Sequence, residues 1–287
     1  MSRAPFLALL AMLSCGGDSE PAGPTTEPLN TDQPAEPPVP MVSRAALISS
    51  LTFVEAVGDV TSGFDIDGHD SEAGDDEGCG HADRVDDEGR TGIDNAFAGL
   101  VPVLNATEAS ALTDLLRQSI ANGELLLLVE VQAPEDDPDG CETVTVWRGT
   151  GVPLLGADGE VLDNQTLSVR DPVTAPCEWV ADGVVEARGF EVDLVAQVLD
   201  VAFDLHLRDV ALRLELGDDG WSGVLGAGIP LSDFATILSE DDLGELQELL
   251  TPIIENLADL FPDDEGQCTA VSATLRVEAL PAFVDAP

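Results

Sequence analysis

Apolar residues fall at every second position over much of the second half of this chain, and at every third or fourth position in a few short stretches beside it. Alternation puts one side of a strand in a core and the other in water, whereas a spacing of three and four builds one apolar helix face. The sharpest alternation spans Phe190 to Leu216. Apolar residues occupy even positions (Phe190, Val192, Leu194, Val198), move to odd ones (Leu199, Val201, Phe203, Leu205, Leu207) and return to even ones (Val210, Leu212, Leu214, Leu216). A slip of one residue turns every side chain to the wrong face, so each phase change predicts a bulge or a turn. Asp204, His206 and Arg208 take the opposite face, which predicts an antiparallel sheet wet on one side.

Other strands are less regular. Ala45 to Val57 predicts a first strand or short helix, Leu125 to Val131 a buried strand, and Thr143 to Trp147 an alternating one. Asp158-Gly159 stands between apolar runs as a hairpin turn does. Asp219-Gly220 turns the chain into Trp221 to Ile229, and Thr269 to Leu280 predicts a closing strand. Helical spacing is carried by Leu112, Leu115, Leu116 and Ile120, with Thr107-Glu108 as start and Asn122-Gly123 as stop. Asp94 and Asn95 open a shorter helical run that ends before Pro102. Ser232 and Ser239 are candidate N-caps, the second in a capping box with Asp242. Leu243, Leu246, Leu249, Leu250, Ile253, Leu257 and Phe261 follow at helical spacing, with Pro252 kinking one helix or starting a second. The expected class is α+β, a mostly antiparallel β-sheet packed against a few amphipathic helices, forming a single domain over 42–287.

The first 41 residues follow neither pattern. Arg3 and the apolar run Ala4 to Leu13 form a charged and then an apolar region, about ten residues long where a membrane span needs roughly 20. That predicts a cleaved export signal over 1–14. Met12-Leu13-Ser14-Cys15 resembles the lipobox of bacterial lipoproteins, with small Ser14 before the cysteine and Gly16-Gly17 after it, and with Met12 and Leu13 departing from the commonest residues. The resemblance implies that Cys15 is lipidated on sulfur and becomes the mature N-terminus, and Gly16 in place of aspartate implies an outer-membrane lipoprotein of the cell envelope. Residues 16–41 hold Pro21, Pro24, Pro28, Pro34, Pro37, Pro38 and Pro40 among Gly, Thr and Glu. As a polyproline stretch, at roughly 3.1 Å per residue, such a tether over 15–41 reaches about 80 Å.

Charge and cysteine count narrow the function further. The chain has 56 acidic and 11 basic residues, all arginine; loss of 1–14 removes Arg3 alone, so the mature charge is −46. A surface of that sign repels nucleic acid and anionic lipid, so the expected membrane contact is the lipid anchor alone. Cys79, Cys141, Cys177 and Cys268 remain, an even number in an oxidising compartment, which predicts two disulfides. Of the three connectivities the sequence favours Cys79 with Cys141 and Cys177 with Cys268.

Between Asp65 and Asp94 twelve acids stand against two arginines, in a glycine-rich loop over 63–95. Two carboxylates 4 Å apart repel by about 4 kcal/mol at an effective dielectric near 20, so this loop either is ordered by a cation or stays a disordered, solvated acidic run. Asp65-Ile66-Asp67-Gly68-His69-Asp70 alternates carboxylates around a turn glycine, which suits hard cations. It resembles the D-x-D-G core of the calcium loops in thrombospondin type 3 repeats, over six residues. The expected Ca²⁺ ligands are Asp65, Asp67 and Asp70, with Asp83, Asp86, Asp94 and Asn95 completing the set. Cys79, His69 and His81 also permit zinc, and His206 is expected to stand alone on a strand surface.

No G-x-S-x-G elbow or phosphate-binding glycine loop is present. Gly220-Trp221-Ser222-Gly223 lacks the spacing, and with no Tyr and three Trp a sugar-stacking cleft is disfavoured. The sequence therefore points to a secreted, membrane-anchored structural or binding domain without inferred catalysis. A carrier of an apolar ligand and a carboxylate hydrolase are the alternatives.

Overall fold

Where apolar residues alternate, strands form, and they are long enough to curl shut. The computed structural model describes residues 40–287, except 77, 103–110, 136, 138–139, 182, 199–200 and 239–243. The expected export signal, Cys15 and nearly all of the tether lie outside the described residues. Nine strands follow: β1 (Met41–Phe53), β2 (Leu127–Pro134), β3 (Thr143–Gly149), β4 (Gln165–Ala181), β5 (Val184–Val198), β6 (Val201–Leu216), β7 (Trp221–Pro230), β8 (Leu260–Pro262) and β9 (Cys268–Asp285). Helices are α1 (Ala111–Ala121), α2 (Leu231–Leu238) and α3 (Gly244–Glu255, with Pro252 inside), besides a 3₁₀ turn at Ala96–Gly99.

From β1 to β7 each strand pairs antiparallel with the next; β7 then pairs with β9, and β9 returns to β1 from Ala45↔Ala282 to Phe53↔Leu275. The result is a closed eight-stranded antiparallel barrel, with 52% strand and 12% helix, and not the α+β fold the spacing suggests. The helical stripes are real but short. What the pattern hid is strand: β4 carries Pro172 and Pro176, and its outward residues interrupt the apolar period. The two phase changes fall where expected, at the β5–β6 connection and at a register shift between Arg208 and Ala211, where Asp209 has φ 47°.

β4 does two jobs. Beyond a bend at Asp171 (φ 50°) its second half pairs with β5, while Gln165–Ser168 run parallel to Ala282–Asp285 of β9. The sheet thereby wraps two apolar clusters. The larger fills the barrel with Ala46, Val129, Val131, Leu212, Leu214, Leu225 and Val277 among others. The smaller lies against the other face of β1 and β2 and consists of Leu47, Leu126, Leu128, Leu167, Val169 and Ala282. Burial on both faces is why Leu125–Val129 reads as an unbroken apolar run.

The disulfides are Cys79–Cys268 and Cys141–Cys177, with Cα atoms 5.9 and 5.5 Å apart, which corrects the expected pairing. The β3–β4 ladder decides it: Thr143 faces Pro176, and the Cys177 amide donates to the Glu142 carbonyl, so Cys141 and Cys177 meet across neighbouring strands. Cys79 is left for Cys268 at the start of β9. Closing loops of 36 and 189 residues restricts the unfolded chain by an amount worth roughly 3 to 5 kcal/mol each.

Leu128 is fully buried in the smaller cluster. Leu128→Ala is expected to lower unfolding free energy by about 2–5 kcal/mol, read as a fall in the urea midpoint. A loss below about 1 kcal/mol would show that this second core is not packed.

Candidate cation site in the acidic loop

Strand alternation leaves Gly226 and Gly228 of β7, and Ser272 and Thr274 of β9, on the outer face of the barrel, paired as Gly226↔Thr274 and Gly228↔Ser272. The acidic loop covers this face. Phe64 is 1% exposed and lies on Gly226, whose missing side chain makes the room: a Cβ there would stand 2.7 Å from Phe64 Cδ2. The guanidinium groups of Arg188 and Arg213 sit over the ring at 5.1 and 5.0 Å from its centre. Both also bond to Glu186, which is buried, and Arg188 Nη1 donates to the Asp65 carbonyl at 3.0 Å. Burial by itself raises the Glu186 pKa, but the two arginines hold it below its usual value.

The loop is further tied down by polar contacts. The Asn95 side chain donates to Thr61 Oγ1 (2.9 Å) and accepts from the Thr274 amide (3.2 Å), and the Ala96 amide donates to Ser272 Oγ (2.7 Å). Arg84 donates to the carbonyls of Asn95 and Gly58. Cys79 then fixes the far part of the loop to Cys268.

These anchors bring carboxylates together. One oxygen from each of Asp65, Asp67 and Asp94 lies within 4.8 Å of the others. Asp94 is 2% exposed, and its Oδ2 accepts from the Ile66 amide at 2.6 Å. Burial, reinforced by Asp67, Asp259 and Asp83, pushes the Asp94 pKa up to about 9. Burial likewise raises Asp67 and Asp83, each against neighbouring acids. Asp259, on the segment before β8, is a buried neighbour that sequence reasoning missed. It accepts from the amide and the hydroxyl of Ser272, and burial pushes it up to about 7.

Other expected ligands stand elsewhere. Asp70 accepts from Thr91 (2.7 Å), Asp86 is held by the side chain and amide of Arg90, and Asn95 faces the barrel wall. Burial raises the Asp86 pKa, but Arg90 more than reverses it. The zinc reading fails on its sulfur ligand, because Cys79 is in a disulfide. His206 does not stand alone: its backbone amide and Nδ1 both contact Asp233 Oδ2 on α2, at 2.7 and 3.1 Å, and that bond raises its pKa. Ser232, expected as an N-cap, lies inside α2, and Ser239 lies outside the described residues. The docking partner was legible in one respect, since glycines inside a strand signal close approach of another group; on β7 Gly226 does so for Phe64, as Gly228 does for Phe261. Nothing in the local pattern names Phe64 as that group.

Comparison with known families, with curated proteins and with solved structures gives no match.

Two outcomes follow. Gly226→Ala forces its new methyl group into Phe64, so a loss of about 1–3 kcal/mol and faster proteolytic cleavage within the loop are expected; unchanged cleavage would mean the loop does not depend on this contact. Asp94 carries a proton in the folded, cation-free protein at pH values where the unfolded chain has lost it. Its contribution to stability is therefore complete below the unfolded pKa near 3.8 and is lost as pH rises through about 9. In chelator, the melting temperature should fall more steeply between pH 5.5 and 8.5 for the native protein than for Asp94→Asn; equal slopes would contradict a buried Asp94.

Proposed function

We propose that this chain is an exported lipoprotein of the cell envelope, anchored through Cys15, that holds out a structural or ligand-binding β-barrel domain whose acidic loop is closed by one Ca²⁺. The two disulfides fit an oxidising compartment. No helix among the described residues is long and apolar enough to cross a membrane. The lipid anchor rests on the lipobox resemblance and the proline tether.

The observation that carries the cation is the meeting of Asp65, Asp67 and Asp94, one of them buried. Three carboxylates so close share either protons or a cation at neutral pH. Oxygen donors alone, in a loop that also offers main-chain carbonyls, favour Ca²⁺ over softer ions. Asp65, Asp67 and Asp94 would hold it, and its charge would let Asp94 ionise. The packed side chains inside the barrel favour a filled core over a hollow carrier.

The test is a native mass measurement of the membrane-extracted protein with and without EGTA, paired with melting curves. The expected mass includes acyl chains on Cys15, two disulfides and one Ca²⁺ that EGTA removes. At a calcium concentration about 100 times the dissociation constant, binding adds about 2.7 kcal/mol, or several degrees of melting temperature. Asp94→Asn should abolish that increment. A mass without calcium and a melt indifferent to EGTA would remove the ion from this reading, and an unmodified N-terminus would remove the anchor.

A further inference from the structure

The barrel wall is split at one place. Among the described residues, Met41–Arg44 pair with β2 alone and Phe283–Asp285 with β4 alone, so β1 and β9 part company beyond Ala45↔Ala282. In a strand the N–H and C=O of one residue point to the same side, and successive residues alternate. The Glu135 amide donates to the Pro40 carbonyl (2.8 Å), so Pro40, Val42 and Arg44 face β2, and Met41 and Ser43 turn their main-chain groups into the split. The Asn164 amide donates to the Pro281 carbonyl (2.6 Å), so residues 281, 283 and 285 face β4, and Val284 turns toward the split from the other lip. Both lips thus carry main-chain donors and acceptors that no strand of the barrel uses.

A cleft of about 570 Å³ lies here; by strand alternation Ser43, Glu130 and Val284 of its lining belong to the side of the smaller core, Arg44, Trp221 and Phe283 to that of the larger. That volume is within the roughly 300–1,000 Å³ of ordinary ligand clefts. Met41, Val42 and Phe283 are 41%, 43% and 56% exposed at its edges. Glu130 is already engaged by Ser43 and by the Trp147 indole (2.8 Å), whereas Arg44 reaches Asp218 at 3.9 Å among the described residues.

We propose that this split is a docking slot in which an extended, basic segment of a partner protein adds as a strand to β1. Main-chain groups on the lips supply the ladder, as in other strand-addition complexes, and exposed apolar side chains at the edges receive alternate residues of the incoming strand. Its sign follows from charge. Glu130 and Asp218 outnumber Arg44 in the lining, and the chain as a whole carries −45. The same charge disfavours a second copy of this chain in the slot.

The experiment titrates the full mature protein with the acetylated and amidated hexapeptide Lys-Val-Lys-Val-Lys-Val, with its glutamate counterpart, and with the lysine peptide methylated on all of its backbone amides. Binding of the lysine peptide alone is expected. Ser43→Pro deletes an amide that faces the slot and spares the β2 ladder, so it should weaken binding by about tenfold or more; Ser43→Ala, which also loses the contact to Glu130, should leave it unchanged. Failure of the lysine peptide to bind, or equal binding by the methylated peptide, overturns strand addition. Equal binding by the glutamate peptide overturns the basic partner. A concentration-dependent dimer dispersed by Ser43→Pro would assign the slot to a second copy and overturn the partner. Because the methylated peptide needs no variant, the result stands even if Ser43→Pro fails to fold.

Discussion

Everything in this protein hangs on the pairing of its last strand with its first. Strands β1 to β7 each pair antiparallel with the next, and such a meander has two bare edges. Only β9 removes them: it pairs along β7 on one side and β1 on the other, takes β8 and the start of β4 at its ends, and so closes the barrel. Closure across more than two hundred residues is the slow, entropically costly step of such a topology. It is repaid by two apolar clusters that exist only when the wall is shut.

The same strand organises the acidic loop. The Val54 amide meets the Thr274 carbonyl, Asn95 the Thr274 amide, Ala96 and Asp259 the Ser272 side chain, and Cys79 the Cys268 sulfur. All of these partners lie within seven residues of β9. A loop of twelve acids is thereby pressed onto an apolar wall, where burial disfavours its charges. The few arginines of the chain are placed accordingly. Arg84, Arg90, Arg188 and Arg213 all serve the loop or its floor, leaving most of the remaining carboxylates to face water. Four guanidinium groups do not neutralise twelve carboxylates, and the residue of that imbalance is concentrated at Asp94, the most deeply buried of the set.

Much of the sheet was legible because period two leaves a direct trace. The phase changes between Val198 and Leu199 and between Leu207 and Val210 mark a connection and a bulge, and the buried run at Leu125–Val129 is a strand covered on both faces. The α+β reading failed at β4, where Pro172, Pro176 and outward charges mask the alternation, and at Phe261, which continues a helical spacing yet sits on β8 with φ 58°. Of the candidate ligands, Asp65 and Asp67 were placed together by adjacency in sequence. That Asp94 joins them while Asp86 and Asn95 do not depends on which backbone amides and arginines each one meets.

By itself the sequence determined what is local or additive: the charge of −45, the strand periods, and the pairing of four cysteines into two bridges without their partners. Tertiary structure alone decided the closure of the barrel, the choice of Cys79 for Cys268, the burial of Asp94, and the split where, among the described residues, Ser43 and Val284 have no strand on one side. The physical reason is common to all four. Each is set by contacts between segments far apart in sequence, whose geometry follows from ladder register and from the space that residues such as Gly226 leave open, and neither is written in the period of any one segment.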